Sequence, residues 1–174
     1  MSREYYLIDG YNVINCWDEF AELREQQLEH AREILIHRMS EFMAFHGYRC
    51  TIVFDAMDVK GPGSVEEIGG LQVVYTAEKE TADSWIEREA YQSVRAGFKV
   101  FVVTSDRAEQ DSILGSGGYR ISAREFNEDY RETKKAIAVR TETLPGRIGR
   151  RELGGRIDEN TAILLEQIRR NRHH

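Results

Sequence analysis

Short apolar runs rich in β-branched and aromatic residues alternate along this chain with longer stretches in which apolar residues recur every three or four positions. The first kind reads as buried strands and the second as amphipathic helices. Tyr5 to Ile8 predicts a first strand, stopped by Asp9-Gly10, and Thr51 to Phe54 a second that closes on Asp55. Leu71 to Thr76 predicts a third, and the nearly all-apolar Lys99 to Thr104 a fourth that Asp106 closes. Between them, Leu28, Ala31, Ile34, Leu35, Met39, Phe42 and Met43 lay one stripe along a helix from Leu28 to His46, with Gly47 as its stop. Ala82, Ile86, Ala90 and Val94 do the same from Ala82 to Ala96, before Gly97. Met57 to Gly70 holds Gly61, Pro62, Gly63, Gly69 and Gly70 and reads as a mobile loop.

Capping patterns extend the reading. Asp106 with Glu109, and Ser122 with Glu125, each place a capping side chain three residues before a Glu, and Ser122 predicts the start of a helix to about Val139. Arg140 to Ile157, with Pro145 and repeated Gly and Arg, reads as a basic arm, and Asp158 to about Arg170 as a closing helix that buries Ile163, Leu164 and Ile168. Strands alternating with helices dictate a mainly parallel sheet covered on both faces through right-handed crossovers, an α/β fold of three layers, α/β/α. At 174 residues the chain is sized for one domain. Residues 1–139 read as its body, and residues 140–174 as an arm and helix belonging to the same domain.

Composition narrows the class. With 41% hydrophobic and 31% charged residues and 2 Pro, the chain is neither disordered, collagenous nor a disulfide scaffold. No apolar run approaches the roughly 20 residues that cross a bilayer. The N-terminus, with Asp9 inside its first apolar run, does not read as a secretory signal, so the expectation is a cytoplasmic protein with no membrane partner. Cys16 and Cys50 lack CxxC spacing and receive no chemistry. The net charge of −6 hides an asymmetry: Met1 to Gly118 carries −10 and Tyr119 to His174 carries +4. Acidic groups in the body could hold metal, and the basic remainder a polyanion; solvated helix faces explain the charge equally well.

Position turns this charge into candidate chemistry. In open α/β sheets ligands bind beyond the carboxyl ends of the strands, where loops converge. Asp9, Asp55 and Asp106 follow the first, second and fourth strands, and Glu80 and Asp83 lie between the third strand and the next helix. A lone Asp at a strand end is ordinarily a turn or cap residue. Five carboxylates on one edge repel one another, and the repulsion asks for a cation. Oxygen ligands without His or Cys favour Mg²⁺ or Mn²⁺, ions that activate water and steady phosphate oxygens, which points to phosphodiester hydrolysis. His30, His37 and His46 lie on or at the end of the first long helix, away from this edge. Asn12 could orient the Asp9 carboxylate or touch a phosphate, or simply cap a turn. Thr104 and Ser105 bring hydroxyls to the same edge. Tyr11, Trp17 and Trp85 could stack on unpaired bases, although core packing is the commoner fate of such rings. Arg120, Arg124, Arg131, Lys134 and Lys135 could follow a phosphate backbone.

The strings DGYNVI (Asp9 to Ile14), FDA (Phe54 to Ala56), ETAD (Glu80 to Asp83), TSD (Thr104 to Asp106) and SARE (Ser122 to Glu125) together resemble the YacP-like branch of the NYN domain ribonucleases, relatives of the PIN nucleases. The resemblance spans Tyr5 to about Lys135. It implies a PIN-like sandwich and a Mg²⁺- or Mn²⁺-dependent endoribonuclease of single-stranded RNA, with mRNA as substrate and the ribosome as a partner. Asp9, Asp83 and Asp106 map onto its metal-binding acids, Glu80 and Asn12 onto its ETAD glutamate and DGYN asparagine. Asp55 also matches, a layer out from the metal. Two other readings stand beside this one. A non-cleaving RNA-binding or ribosome-associated factor would keep the fold and bind metal too weakly for turnover. A phosphoacceptor receiver domain would use Asp9, Asp55 and Thr104, but the chain lacks the lysine such a domain places after a fifth strand.

Overall fold

The computed structural model describes residues 3–24, 26–56, 61–105, 115 and 117–142. The expected arm beyond Glu142 and the helix from Asp158 lie outside the described residues, as do Asp106 and its pairing with Glu109. In chain order the elements are β1 (Glu4–Asp9), α1 (Gly10–Cys16), α2 (Leu28–His46), β2 (Arg49–Phe54), β3 (Ser64–Ile68), β4 (Leu71–Tyr75), α3 (Ala82–Arg95), β5 (Lys99–Val103), β6 (Tyr119–Ile121) and α4 (Ala123–Glu142). They build a six-stranded sheet in the order β3-β4-β2-β1-β5-β6. Every neighbouring pair is parallel except β3 with β4.

Alternation along β1 sorts the two faces, because successive side chains of a strand point to opposite sides. Tyr5 and Leu7 join Val53, Val74, Val100 and Val102 beneath Ala82, Ile86 and Ala90 of α3. Tyr6 and Ile8 turn the other way, into a larger core with Val13 and Ile14 of α1, Leu35, Met39 and Phe42 of α2, and Phe126 and Tyr130 of α4. The result is the expected three-layer sandwich with a mainly parallel sheet. Helix α2 ends at Gly47, whose left-handed backbone (φ 70°) lets its amide reach the Met43 carbonyl. Helix α4 opens on the expected capping box: the Glu125 amide donates to Ser122 Oγ at 3.2 Å, and the Ser122 amide donates to Glu125 Oε2 at 2.9 Å.

Three elements differ from expectation. Ser64–Ile68 is a strand within what reads as a loop, and Gly69 and Gly70, with φ of 58° and 80°, form the tight turn that folds it back onto β4. All five of its residues are exposed, so burial leaves no alternation in its sequence. Tyr119–Ile121 adds a three-residue strand beside β5, too short to announce itself. The third is α1, which starts where a simple turn is expected after β1.

Candidate active site at the carboxyl edge of the sheet

The carboxyl ends of β1, β2 and β5 lie on one edge because the three strands run parallel in the centre of the sheet. Asp9 ends β1 and caps α1: its Oδ1 accepts the Asn12 amide at 3.0 Å. Gly10, the first residue of α1, is the contact that lets this happen. A Cβ there would stand 2.3 Å from Phe54 Cε1, so only a glycine fits between Asp9 and the ring that closes β2. Gly10→Ala is expected to destabilise the fold by about 1–3 kcal/mol, the usual cost of overpacking. Thermal melts of Gly10→Ala and of Gly10→Ala with Phe54→Leu check the cause: trimming the ring should recover part of the loss.

Asp55 follows β2 and reaches the head of α3, where its Oδ2 accepts the Ala82 amide at 3.4 Å. Asp83 occupies the first turn of the same helix, behind Thr81, whose Oγ1 accepts the Ser84 amide at 3.2 Å. Burial raises the Asp9 carboxyl to about 6; the Asp83 and Asp55 charges add to the rise, and the Asn12 and Tyr11 amides oppose it. Asp55 and Asp83 are therefore each within electrostatic reach of Asp9. Glu80 is half-buried but spoken for: its Oε1 accepts Arg88 Nη1 at 2.7 Å. That ion pair relieves the charge which, at the other positions, asks for a cation.

Among the described residues no three His, Cys, Asp or Glu side chains stand ready as a metal cage. Mg²⁺ does not require one, since it keeps several waters and commonly takes one or two carboxylates together with substrate phosphate. The donor set fits such a hard ion, being all oxygen. Asp9 and Asp83 would hold it, where it would polarise water and phosphate oxygens.

Asn12 and Ser105 form the bridge from β1 to β5. Asn12 Oδ1 accepts the Ser105 amide at 2.9 Å, and Ser105 Oγ accepts the Ala123 amide at 3.2 Å. The asparagine thus ties two strand ends together, and its backbone amide, rather than its side chain, bonds Asp9. Thr104 is buried, its amide donating to the Ile121 carbonyl at 3.1 Å. Arg120, Arg124, Arg131, Lys134 and Lys135 are all exposed. On α4, Arg124, Arg131 and Lys135 fall on one side at spacings of seven and four, opposite Phe126 and Tyr130 in the core; Glu128 interrupts the row.

The three aromatic candidates part company. Trp17 is a core residue, stacked with Phe20 and Tyr130, its Nε1 donating to the Ala123 carbonyl at 2.8 Å. Trp85 packs on the core under α3. Tyr11, edge-on to Phe54, lines a cleft of about 360 Å³ together with Asp55. Two residues of that cleft, Arg32 and Tyr75, escape a reading of the sequence. The available signal is an arginine set into the apolar stripe of α2, between Leu28 and Leu35. His30 and His37 pair with Glu33 and Glu41 on their own helix, and His46 stacks on Tyr48 and meets Thr133 Oγ1 at 3.0 Å. All three stay away from the acidic edge.

A mainly parallel α/β/α sandwich with acids gathered at its carboxyl edge defines the class, an α/β domain with an acidic site at its strand ends. The YacP-like NYN domain family matches residues 6–170, and the chain belongs to that family. It is 36% identical over 138 residues to the protein YacP of Bacillus subtilis (strain 168), covering 79% of this chain and 81% of that protein. Two crystal structures of Rae1 (YacP) from Bacillus subtilis are similar to it. One matches with a TM-score of 0.70 at 32% identity, covering 97% of this chain and 95% of that one. The other, a W164L mutant, matches with a TM-score of 0.69 at 34% identity, covering 83% and 86%. NYN domains belong to the nuclease superfamily, and domains of this type generally use divalent metals. Among the described residues no helix is long and apolar enough to cross a membrane.

Proposed function

We propose that this chain is an endoribonuclease that hydrolyses phosphodiester bonds of single-stranded RNA, with mRNA as its target and Mg²⁺ or Mn²⁺ as its cofactor. One observation carries the reading: Asp9, a half-buried carboxylate at the end of β1, shares the carboxyl edge of the sheet with Asp55 after β2 and Asp83 at the head of α3. A divalent ion is the economical relief for the repulsion that Asp9 meets there. Asp9 and Asp83 are its ligands, and Asp106, of the TSD string, completes the set. Asn12 keeps the β5 end in register with Asp9 and so orients the scissile phosphate, and Glu80, once released from Arg88, positions the attacking water. Ser105, Arg120, Arg124, Arg131, Lys134 and Lys135 give the RNA backbone its contacts, at the ribosome in the cell. The protein works in the cytoplasm.

The test is end-labelled single-stranded RNA incubated with Mn²⁺ and each of three proteins: the natural chain, Asp9→Asn and Asp83→Asn. Loss of a second-layer partner of a metal ligand already costs roughly 10–100-fold, so each substitution should slow cleavage by at least about 100-fold. Equal cleavage by all three proteins would remove the mechanism. Binding without cleavage by the natural chain would favour a non-cleaving RNA-binding factor.

A further inference from the structure

The cleft beside Asp55 is a built feature. Its outer wall, Gly61 to Gly63, is fastened to the end of β4: the Glu78 amide donates to the Gly61 carbonyl at 3.0 Å. Gly63 lies so close to that backbone, at φ 77°, that a Cβ would stand 2.6 Å from the Tyr75 carbonyl oxygen. Its inner wall is aromatic, with Tyr75 stacked on Phe54 at 5.6 Å and an interplanar angle of 22°. Over Tyr75, at 5.7 Å, lies the guanidinium of Arg32, whose Nη1 donates to the Tyr11 hydroxyl at 2.9 Å. Among the described residues no carboxylate stands within ion-pair distance of Arg32, so a phenol and a ring hold this cation in place. A planar cation on an aromatic wall, in a cleft that Asp55 also lines, suits a flat, stacking ligand bearing hydrogen-bond acceptors. It suits a bare phosphate poorly, because Asp55 would repel one.

We propose that this cleft holds one unpaired nucleobase of the RNA, next to the phosphate cleaved at the Asp9 edge, with the base stacked against the Arg32–Tyr75 wall. The assignment rests on the nuclease reading of that edge and adds to it a subsite that fixes which phosphate is presented. At about 360 Å³ the cleft lies near the small end of ligand pockets, roughly 300–1,000 Å³, which limits it to a single nucleotide.

The four nucleoside 5′-monophosphates and ribose 5-phosphate, titrated by calorimetry into the full chain without divalent ions, test the assignment. At least one nucleotide should bind saturably, and ribose 5-phosphate at least about 10-fold more weakly, as expected where base stacking carries the affinity. Arg32→Leu should weaken nucleotide binding at least about 10-fold, and Arg32→Lys should not restore it, because an ammonium offers no plane to stack on. Ser64→Phe, at an exposed edge-strand position on the rim, should block the cleft without touching the core. Ribose 5-phosphate binding as tightly as the nucleotides would overturn the proposal, as would nucleotide binding indifferent to both Arg32→Leu and Ser64→Phe. Nucleotide binding that responds to both variants, in a protein that leaves RNA intact with Mn²⁺, would uphold the cleft and reject the nuclease. RNA cleavage with nucleotide binding unmoved by the variants would do the reverse.

Discussion

Asp9→Asn should melt several degrees above the natural chain at pH 7.5 even as it stops cleaving RNA. The natural carboxyl, raised from 3.8 to about 6, is ionised at neutral pH in surroundings that disfavour its charge. A tenfold change in proton affinity corresponds to about 1.4 kcal/mol, and since Asp9 is only half-buried a cost of about 2 kcal/mol is the fitting expectation. Asparagine caps a helix as well as aspartate does, so the Asn12 amide keeps its acceptor while the charge is gone. The pH dependence follows in sign. The folded chain holds the Asp9 proton more tightly than the unfolded chain does, so the group's contribution to stability is fully present below pH 3.8 and is lost as pH rises through about 6. The gap between the two melting curves should therefore be small near pH 4, open up to about pH 6 and stay level above pH 7, where it should reach roughly 4–8 °C. Added Mn²⁺ should raise the melting temperature of the natural chain and leave the variant where it was. Parallel melts from pH 4.5 to 7.5, with and without Mn²⁺, read all of this; a variant that melts lower at every pH would contradict the strained-carboxylate account.

Trp17→Ala should be the most damaging single change in the described fold. The ring is 1% exposed, stacks on Phe20 and Tyr130, and tilts against Phe126. It thereby joins the end of α1 to α4, and its indole N–H holds the Ala123 carbonyl in the first turn of that helix. Trp→Ala in a packed core costs about 3–5 kcal/mol, enough to lower the melting temperature by roughly 10 °C or to leave the chain largely unfolded. Trp17→Phe keeps most of the packing while losing the hydrogen bond: it retains a stacked six-membered ring, leaves the Ala123 carbonyl without its donor and opens a small cavity, for about 1–3 kcal/mol. Urea unfolding of both variants measures the difference, and a loss for Trp17→Ala no greater than that for Trp17→Phe would remove packing as the cause.

Trp17 also shows where the sequence is ambiguous. An aromatic just past a short helix is compatible with a base-stacking platform and with a core, and only the position of α4, more than a hundred residues on, decides for the core. The central strands were legible because β1, β2 and β5 are buried over most of their length on both faces and read as nearly continuous apolar runs, a pattern β4 shares apart from the exposed Gln72. Helices α2 and α3 were legible for the opposite reason, a single apolar stripe. Helix α1 was obscured by Asn12 and Asn15, which favour turns as much as helices, and its sign was the spacing of Val13, Ile14 and Trp17 behind the Asp9 cap. Strand positions alone placed Asp9, Asp55 and Asp83 at one edge. Spacing could not foresee that Arg88 claims Glu80, or that Asn12 spends its side-chain carbonyl on the Ser105 amide, because both depend on how the elements are brought together.

Among the described residues strand β3 is the outermost strand of the sheet on its side, and the flank turned away from β4 is a row of backbone donors and acceptors of the kind that invites another polypeptide to add on. Glu66 and Glu67 sit on that flank, exposed on opposite faces of the strand. Two copies approaching flank to flank would bring four like charges together, so the hairpin that walls the cleft also guards the protein against runaway self-assembly.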